Sequence, residues 1–216
     1  MFEFVGVKYK EILEIQELTI REGLTALVGP SGSGKTTALR LLNKMISPTA
    51  GHILYHGKDI RQINSVQHRR DVMMLSQTPV MFEGSIKDNL TIAFRFQERE
   101  QPSDAKLLQA LERVHLRKGL DTPVPQLSGG ERQRLALGRL FLCDPAVYIL
   151  DEPSSALDDE TEDTIISMVA DYIQRTKKSA IMVTHSRSVA ERYADEIIEI
   201  VNGQIRSRGD ANERNR

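Results

Sequence analysis

Short apolar runs separated by polar turns dominate the hydrophobic pattern and predict a protein rich in β-strands. Leu24–Val28 is a short apolar run, and the continuous apolar run of residues 147–150 is typical of a parallel strand that is covered on both faces. The other predicted strands are residues 2–5, 12–15, 52–55, 72–76 and 180–183, with a closing hairpin of residues 196–201 and 204–207 around Asn202-Gly203.

Helical periodicity appears between these strands. Helices are predicted at residues 35–45, around 160–174, and near 104–114, where Leu107, Leu108, Leu111 and Val114 fall at helical spacing. Strands that alternate with helices indicate an α/β fold with a mostly parallel sheet.

The segment 78–140 differs in character from the rest of the chain, since it is mainly helical and charged. We therefore predict one domain, 1–216, in which residues 1–77 and 141–216 form the core and an N-terminal antiparallel β-subdomain. Residues 78–140 form an inserted helical subdomain.

The amino-acid composition excludes several classes of protein. The 216 residues carry 29 Lys and Arg against 30 Asp and Glu, and this balance argues against a surface that coats nucleic acid. The single cysteine, Cys143, excludes an intrachain disulfide, and its apolar neighbours predict a buried thiol. No apolar run reaches the roughly 18 residues of a membrane span, and the N-terminus does not resemble a secretory signal. We expect a soluble, cytoplasmic protein.

A glycine-rich segment between a predicted strand and a predicted helix carries the clearest chemistry. The pattern G-x-x-x-x-G-K-[ST] in this context is typical of a loop whose backbone N–H groups surround phosphate groups. The lysine reaches the β and γ phosphates, and the hydroxyl that follows can bind magnesium. The residues are Gly29, Pro30, Ser31, Gly32, Ser33, Gly34, Lys35, Thr36 and Thr37. An ordinary Gly/Ser turn with a solvated lysine is the alternative, and it leaves the flanking strand and helix unexplained.

Two adjacent acids, Asp151 and Glu152, end the apolar run at 147–150. They would repel each other at a buried strand end unless a cation lies there. We predict that Asp151 binds nucleotide-associated magnesium and that Glu152 polarises an attacking water. Solvated acids that cap a strand are the alternative.

Polar residues follow two other strands, at the edge where such sheets bind ligands. Gln77 can bind magnesium or orient water, and His185 can donate to a γ-phosphate. Ser128, with Gly129, Gly130 and Glu131, opens a predicted helix. This pattern suits a second anion site, and it suits a well-capped helix equally well.

Taken together, these motifs resemble the full series of ABC transporter ATP-binding subunits, in the family's order and over nearly the whole chain. The matching elements are the Walker A segment 29–37, the Q-loop at Gln77, the signature 127–134, the Walker B acids Asp151-Glu152, the D-loop 155–158 and the H-loop at His185. The resemblance implies a P-loop NTPase core that binds ATP and Mg²⁺.

The resemblance also implies roles for individual residues. Lys35, Gln77, Glu152 and His185 are the implied catalytic residues, with Glu152 as the general base. Thr36, Gln77 and Asp151 are the implied magnesium ligands, and Tyr9 is in the position of a residue that stacks on adenine. Tyr9 could instead be a tyrosine that packs on the β-subdomain. The partner's Ser128, Gly129 and Gly130 would complete each ATP site of a homodimer, and Asp158 would lie at the dimer interface.

The implied function is the ATPase subunit of a membrane transporter, which acts at the cytoplasmic face of the membrane on separate integral membrane subunits. No nucleic-acid partner is expected. The segment 77–90 and the short chain resemble the small ATPases of bacterial iron or metal export systems. Soluble ABC-type ATPases of DNA repair or translation, and P-loop kinases, are the alternatives. The membrane subunits would determine the transported substrate and the direction of transport.

Overall fold

The fold was analysed in a computed structural model, which describes residues 1–153 and 159–210. The strands are β1 Phe2–Tyr9, β2 Leu13–Ile20, β3 Leu24–Val28, β4 Ala50–Tyr55, β5 Lys58–Asp59, β6 Val72–Leu75, β7 Val147–Asp151, β8 Ser179–Val183, β9 Glu196–Val201 and β10 Gln204–Asp210. The helices are α1 Lys35–Leu42, α2 Ser65–Asp71, α3 Ile86–Phe96, α4 Asp104–Arg113, α5 Gly129–Cys143, α6 Asp159–Thr176 and α7 Arg187–Tyr193. Short 3₁₀ helices lie at Ile60–Gln62 and Val124–Gln126.

The strands form two sheets, and this arrangement confirms the predicted α/β class. The first sheet has the order β2-β1-β4-β5 and is antiparallel throughout. The second has the order β10-β9-β3-β8-β7-β6. In it β3 pairs in parallel with β8 and β9, and β8 pairs in parallel with β7, while β10 is antiparallel to β9.

By its contacts the chain divides into two compact units, of which the first carries both sheets. It comprises Met1–Met74, Ala146–Glu152 and Val169–Arg216. Its core combines apolar residues of both sheets with one face of α1, including Phe2, Leu39 and Ile149, all of which are fully buried. Every residue of β3, β7 and β8 is buried, and apolar residues predominate in all three, as in parallel strands that are covered on both faces.

The second unit comprises Leu75–Pro145 and Pro153–Met168, and its helices α3 and α4 both pack against α5. Gly138 lies at this contact, where a Cβ would meet Val114 and Leu90 at ordinary packing distances. Cys143 is buried, as predicted, and burial raises the pKa of its thiol to about 11. Among the described residues, no helix has the length and apolar character needed to cross a lipid bilayer.

Two details differ from the sequence-based prediction. Leu108 is 50% exposed, because it lies about 100° around the helix from the buried stripe that holds Leu107 and Leu111. The predicted strands of residues 2–5 and 12–15 leave Tyr9 in the link between them. It is instead the last residue of β1 and pairs with Leu13.

Candidate functional site

Three parallel strands end at one level and place the predicted site residues along one edge of the sheet. In the central strand β8, Val183 pairs with Leu27 of β3 on one side and with Asp151 of β7 on the other. The phosphate loop follows β3, Glu152 follows β7 and His185 follows β8. The register therefore brings three sequence-distant motifs to the same edge, where open α/β sheets bind ligands.

The phosphate loop is exposed at its tip and buried where it enters α1. Lys35 is only 5% exposed, and its Nζ donates hydrogen bonds to the carbonyl oxygens of Gly29 and Pro30, both at 2.8 Å. Burial lowers the pKa of Lys35, while the charges of Glu152 and Asp151 raise it. The loop thus contains a largely desolvated cation, which suits an anionic ligand.

Two polar features of the loop fit a bound phosphate. The Ser33 hydroxyl oxygen is buried and has no hydrogen-bond partner within the described part of the chain. Gly34, the N-cap residue of α1, has a φ of 101° and no side-chain cap. The first amides of the helix therefore point toward the loop, as in helix N-termini that bind anions.

The loop lies directly against β9, and this contact requires a glycine. A Cβ on Gly29, whose φ is +139°, would lie under 3.0 Å from the Ile200 carbonyl oxygen. No side chain can be accommodated there without a shift of the backbone, so β9 constrains the position of the loop backbone at Gly29.

Thr36 and Asp151 form an oxygen-rich pair beside the loop. The Thr36 hydroxyl donates to Asp151 Oδ1 at 3.0 Å, and Asp151 is 3% exposed. Burial raises the pKa of Asp151, the Thr36 hydrogen bond lowers it, and the neighbouring Glu152 charge raises it. A carboxylate and a hydroxyl are ligands suited to Mg²⁺, and a cation here would stabilise the buried carboxylate.

Glu152 and His185 form the second polar pair of the edge. His185 Nε2 and Glu152 Oε1 are 2.7 Å apart, and the side chains are 52% and 15% exposed, respectively. Glu152 has a left-handed φ of 48°, and its amide donates to the Val183 carbonyl at 3.2 Å. The backbone therefore changes direction after β7, and the Glu152 carboxylate faces the imidazole. A carboxylate held by an imidazole in this way can accept a proton from water.

Tyr9 is half-buried at the end of β1, where Lys10 Nζ lies 5.4 Å from the ring centroid. Gln77 is exposed and follows β6, within the second unit. Asp158, together with the predicted D-loop residues before it, lies outside the described residues.

Ser128, in the second unit, caps α5 as predicted. Its hydroxyl accepts from the Glu131 amide at 3.2 Å, and its own amide donates to Glu131 Oε2 at 2.9 Å. Ser128 and Gly129 are exposed, and a Cβ on Gly129 would meet no atom within 4 Å. The helix is therefore well capped and also opens onto accessible space, so both interpretations of this motif remain compatible with the structure.

Backbone groups behind the phosphate loop were missed by the sequence analysis. They belong to Ile200 in β9 and to the Asn202-Gly203 turn, whose amide donates to the Ser33 carbonyl at 3.0 Å. The Asn-Gly pair predicts a tight turn, but nothing in its local pattern indicates what the turn contacts.

Comparisons with known proteins agree with this geometry. A family model described as ABC transporter matches residues 13–155. The probable iron export ATP-binding protein FetA of Escherichia coli (strain K12) is 34% identical over 192 residues, which cover 88% of this chain and 84% of that protein. The mitochondrial iron-sulfur clusters transporter ATM1 of Kluyveromyces lactis is 35% identical over 227 residues, covering 98% of this chain and 31% of the transporter.

The chain spans 16–31% of the length of several larger transporters that it matches. Among solved structures, the dimeric ATP-binding cassette MJ0796 in a post-hydrolysis state bound to ADP and Pi has a TM-score of 0.87 and 25% identity. The match covers 98% of this chain and 99% of that one. The family match covers most of the chain, and the FetA match covers most of both proteins. The chain therefore belongs to the ABC transporter family and is an ATPase cassette of that family.

Proposed function

We propose that this chain hydrolyses ATP as the motor subunit of a membrane transporter and acts as a homodimer on separate transmembrane subunits. The observation that carries this proposal is the pairing of Val183 with both Leu27 and Asp151. This register aligns the ends of three parallel strands and brings a phosphate loop, an acid pair and a histidine to one sheet edge. The match with FetA, which covers 84% of a protein named as an ATP-binding protein, supports transmembrane subunits that are separate chains.

Each residue of the edge has a distinct role in the proposed reaction. Lys35 and the loop amides bind the phosphates, and Thr36 and Asp151 would hold Mg²⁺. When bound, Mg²⁺ neutralises phosphate charge. Glu152 accepts the proton of the attacking water, and His185 orients Glu152 and donates to the γ-phosphate. Tyr9 supports the adenine ring.

A second copy would complete the site. Ser128, Gly129 and Gly130 lie at an accessible helix N-terminus, which suits contact with phosphate held by another subunit. The solved cassette MJ0796 is described as dimeric, and this supports the same assembly here. Asp158 is proposed to cross the dimer interface.

The membrane partner is tested by affinity purification of the tagged chain from solubilised membranes of its own cells. We expect an integral membrane protein to co-purify in a fixed ratio, and vesicles that contain both proteins to hydrolyse ATP faster than the chain alone. Recovery of only DNA-repair or translation components would contradict the transport function and favour a soluble ABC-type ATPase.

The similarity to FetA also supports metal ions as the transported class. We expect cells that lack the chain to show altered iron content and altered growth at high iron, with rescue by the wild-type chain. The Lys35→Ala variant is the control that should not rescue. Unchanged metal content and growth would contradict metal ions as the transported class and would leave the ATPase function intact.

Phe82 is the proposed anchor for the membrane subunits. The side chain is half-buried, with its ring 5.9 Å from that of Phe96 and 5.5 Å from the Arg139 guanidinium. Phe96 and Val80 are 68% and 61% exposed. Together these four residues form an apolar surface with one cation, and an aromatic anchor often dominates binding at such a surface.

The Phe82→Ala variant should fold, because the buried Asn89 side chain holds the backbone at position 82. Asn89 accepts from the Phe82 amide at 2.9 Å and donates to the Phe82 carbonyl at 2.8 Å. We expect ATP affinity and basal hydrolysis to be retained, and binding to the membrane partner to weaken by about 2 kcal/mol, or about 30-fold. Pull-down and transport assays measure the change.

Leu90→Ala is the control for Phe82→Ala, since Leu90 is fully buried in the same unit. It should lower the free energy of unfolding by about 2–5 kcal/mol. If Phe82→Ala unfolds the chain in the same way while any folded fraction still binds the partner, Phe82 is a core residue and the docking role is wrong.

A further inference from the structure

Two hairpin turns of the first unit have nearly identical φ values but very different surroundings. His56-Gly57 joins β4 to β5 with φ values of 48° and 76°, and Asn202-Gly203 joins β9 to β10 with 49° and 75°. Gly57 is exposed, and a Cβ there would meet no atom within 4 Å. Gly203 is buried. The chain therefore contains an internal control for the effect of a left-handed φ alone.

Gly203 connects the phosphate loop to the antiparallel sheet through its own backbone. Its amide donates to the Ser33 carbonyl at 3.0 Å, and its carbonyl accepts from the Glu14 amide at 2.8 Å. The same residue thus bonds to the phosphate loop on one side and to β2 on the other. Buried backbone groups of this kind are costly to leave unpaired, so both contacts constrain the loop.

Close packing reinforces these hydrogen bonds. A Cβ on Gly203 would lie under 3.0 Å from the Ile12 carbonyl oxygen and 3.2 Å from Leu13 Cα. A Cβ on Gly34 of the phosphate loop would lie 3.2 Å from the Ile12 carbonyl oxygen and 3.7 Å from Gly203 Cα. The turn, the Ile12-Leu13 backbone and the loop therefore touch one another, and no side chain fits between the turn and Ile12.

We propose that the Asn202-Gly203 turn is a positioning element of the nucleotide site, which holds the phosphate loop in its binding conformation through the Ser33 carbonyl. Gly203 touches no substrate and acts through the loop. It also couples the loop to the sheet that carries Tyr9, so the phosphate and adenine ends of the site share one support. This inference rests on the nucleotide site of the proposed function.

The test compares Gly203→Ala with Gly57→Ala in the full chain. Both variants carry the same backbone strain, but only the methyl group at position 203 collides with backbone. We expect the Kd for Mg²⁺–ADP to rise about tenfold in Gly203→Ala, because the turn must move and weaken the bond to Ser33. The Kd should be unchanged in Gly57→Ala. Calorimetric titration measures it.

Hydrogen exchange distinguishes a positioning role from a general loss of stability. In Gly203→Ala the amides of residues 31–36 should exchange faster than in wild type, while those of the helix α4 should not. In Gly57→Ala neither segment should change. Wild-type nucleotide affinity together with wild-type loop exchange in folded Gly203→Ala would overturn the positioning role and leave the ATPase function intact. A wild-type chain that binds no Mg²⁺–ADP would overturn both.

A milder pair decides the question if Gly203→Ala does not fold. Asn202→Ala and His56→Ala each place alanine at the first left-handed position of a turn, and neither adds an atom near Ile12. We expect Asn202→Ala to weaken Mg²⁺–ADP binding and His56→Ala to leave it unchanged. Equal affinities in the two variants would overturn the proposal.

Discussion

Replacing Glu152 with glutamine is expected to abolish most ATP turnover while ATP binding is retained. A positioned general base contributes about 10²–10⁴-fold to a rate, and the amide cannot accept the proton from water. Glutamine has nearly the same shape and can keep the contact with His185 Nε2, which is 2.7 Å from Glu152 Oε1 in the structure. The variant should therefore accumulate as an ATP-bound dimer.

Single-turnover hydrolysis, nucleotide affinity and size-exclusion chromatography with Mg²⁺–ATP measure the three parts of this prediction. Glu112→Gln is the matched control, since Glu112 is exposed on α4 and the substitution removes the same charge. The control should hydrolyse ATP at the native rate. Near-native hydrolysis by Glu152→Gln would mean that the base lies elsewhere.

The elements of the site were predictable where chemistry and local pattern coincide. The strand Leu24–Val28 is buried at every position, so its mainly apolar composition has a direct physical cause. The two acids at the end of β7 could be recognised because like charges at a buried strand end need a counter-charge. The sheet order then places these segments side by side, and parallel pairing brings their carboxyl ends to one edge.

The first strand shows where the pattern fails. The predicted strand of residues 2–5 is followed by a register shift between Val5 and Lys8. A bulge changes which face successive side chains occupy, so buried Phe2 and Phe4 are followed by buried Val7 rather than by the next even position. The alternation breaks although the strand continues to Tyr9. Sequence periodicity alone therefore placed Tyr9 outside the strand.

Contacts between distant segments were not predictable from the sequence. Gly203 bonds to Ser33 and Glu14, both far away in sequence, and the bond uses only main-chain atoms. Main-chain contacts leave no trace in residue type beyond the glycine that permits them. The support of the phosphate loop is therefore a property of the tertiary structure, whereas the loop itself is a property of its motif.

Mixing two inactive variants is expected to restore ATP hydrolysis if each site combines residues of two chains. Lys35→Ala removes the buried cation of the phosphate loop, and Ser128→Arg places a bulky side chain at the open N-terminus of α5. Each variant alone should lose about 10²-fold or more in rate, as expected when a preorganised charge-stabilising group is removed. Both defects fall in the same composite site of a mixed dimer, so the other site is intact.

The expected size of the recovery follows from random pairing. At equal amounts about half of the dimers are mixed, each with one intact site, so about a quarter of the wild-type activity should return if the sites act independently. The ATPase rate measured against mixing ratio should be bell-shaped, with its maximum at equal amounts. Rates that stay at the level of either variant alone, with mixed dimers demonstrated by two affinity tags, would contradict a shared site.

Ser103→Arg separates a specific block at Ser128 from general damage to a helix start. Ser103 is the exposed N-cap of α4 and makes no side-chain cap hydrogen bond. Ser128→Arg also loses the bond to the Glu131 amide, and an N-cap of this kind contributes about 1 kcal/mol to stability. Thermal unfolding should show that modest loss in Ser128→Arg and almost none in Ser103→Arg, and Ser103→Arg should hydrolyse ATP at the wild-type rate. If Ser103→Arg were as inactive as Ser128→Arg, the loss would not report on the α5 terminus, and the argument for a site shared across the dimer would rest on the mixing curve alone.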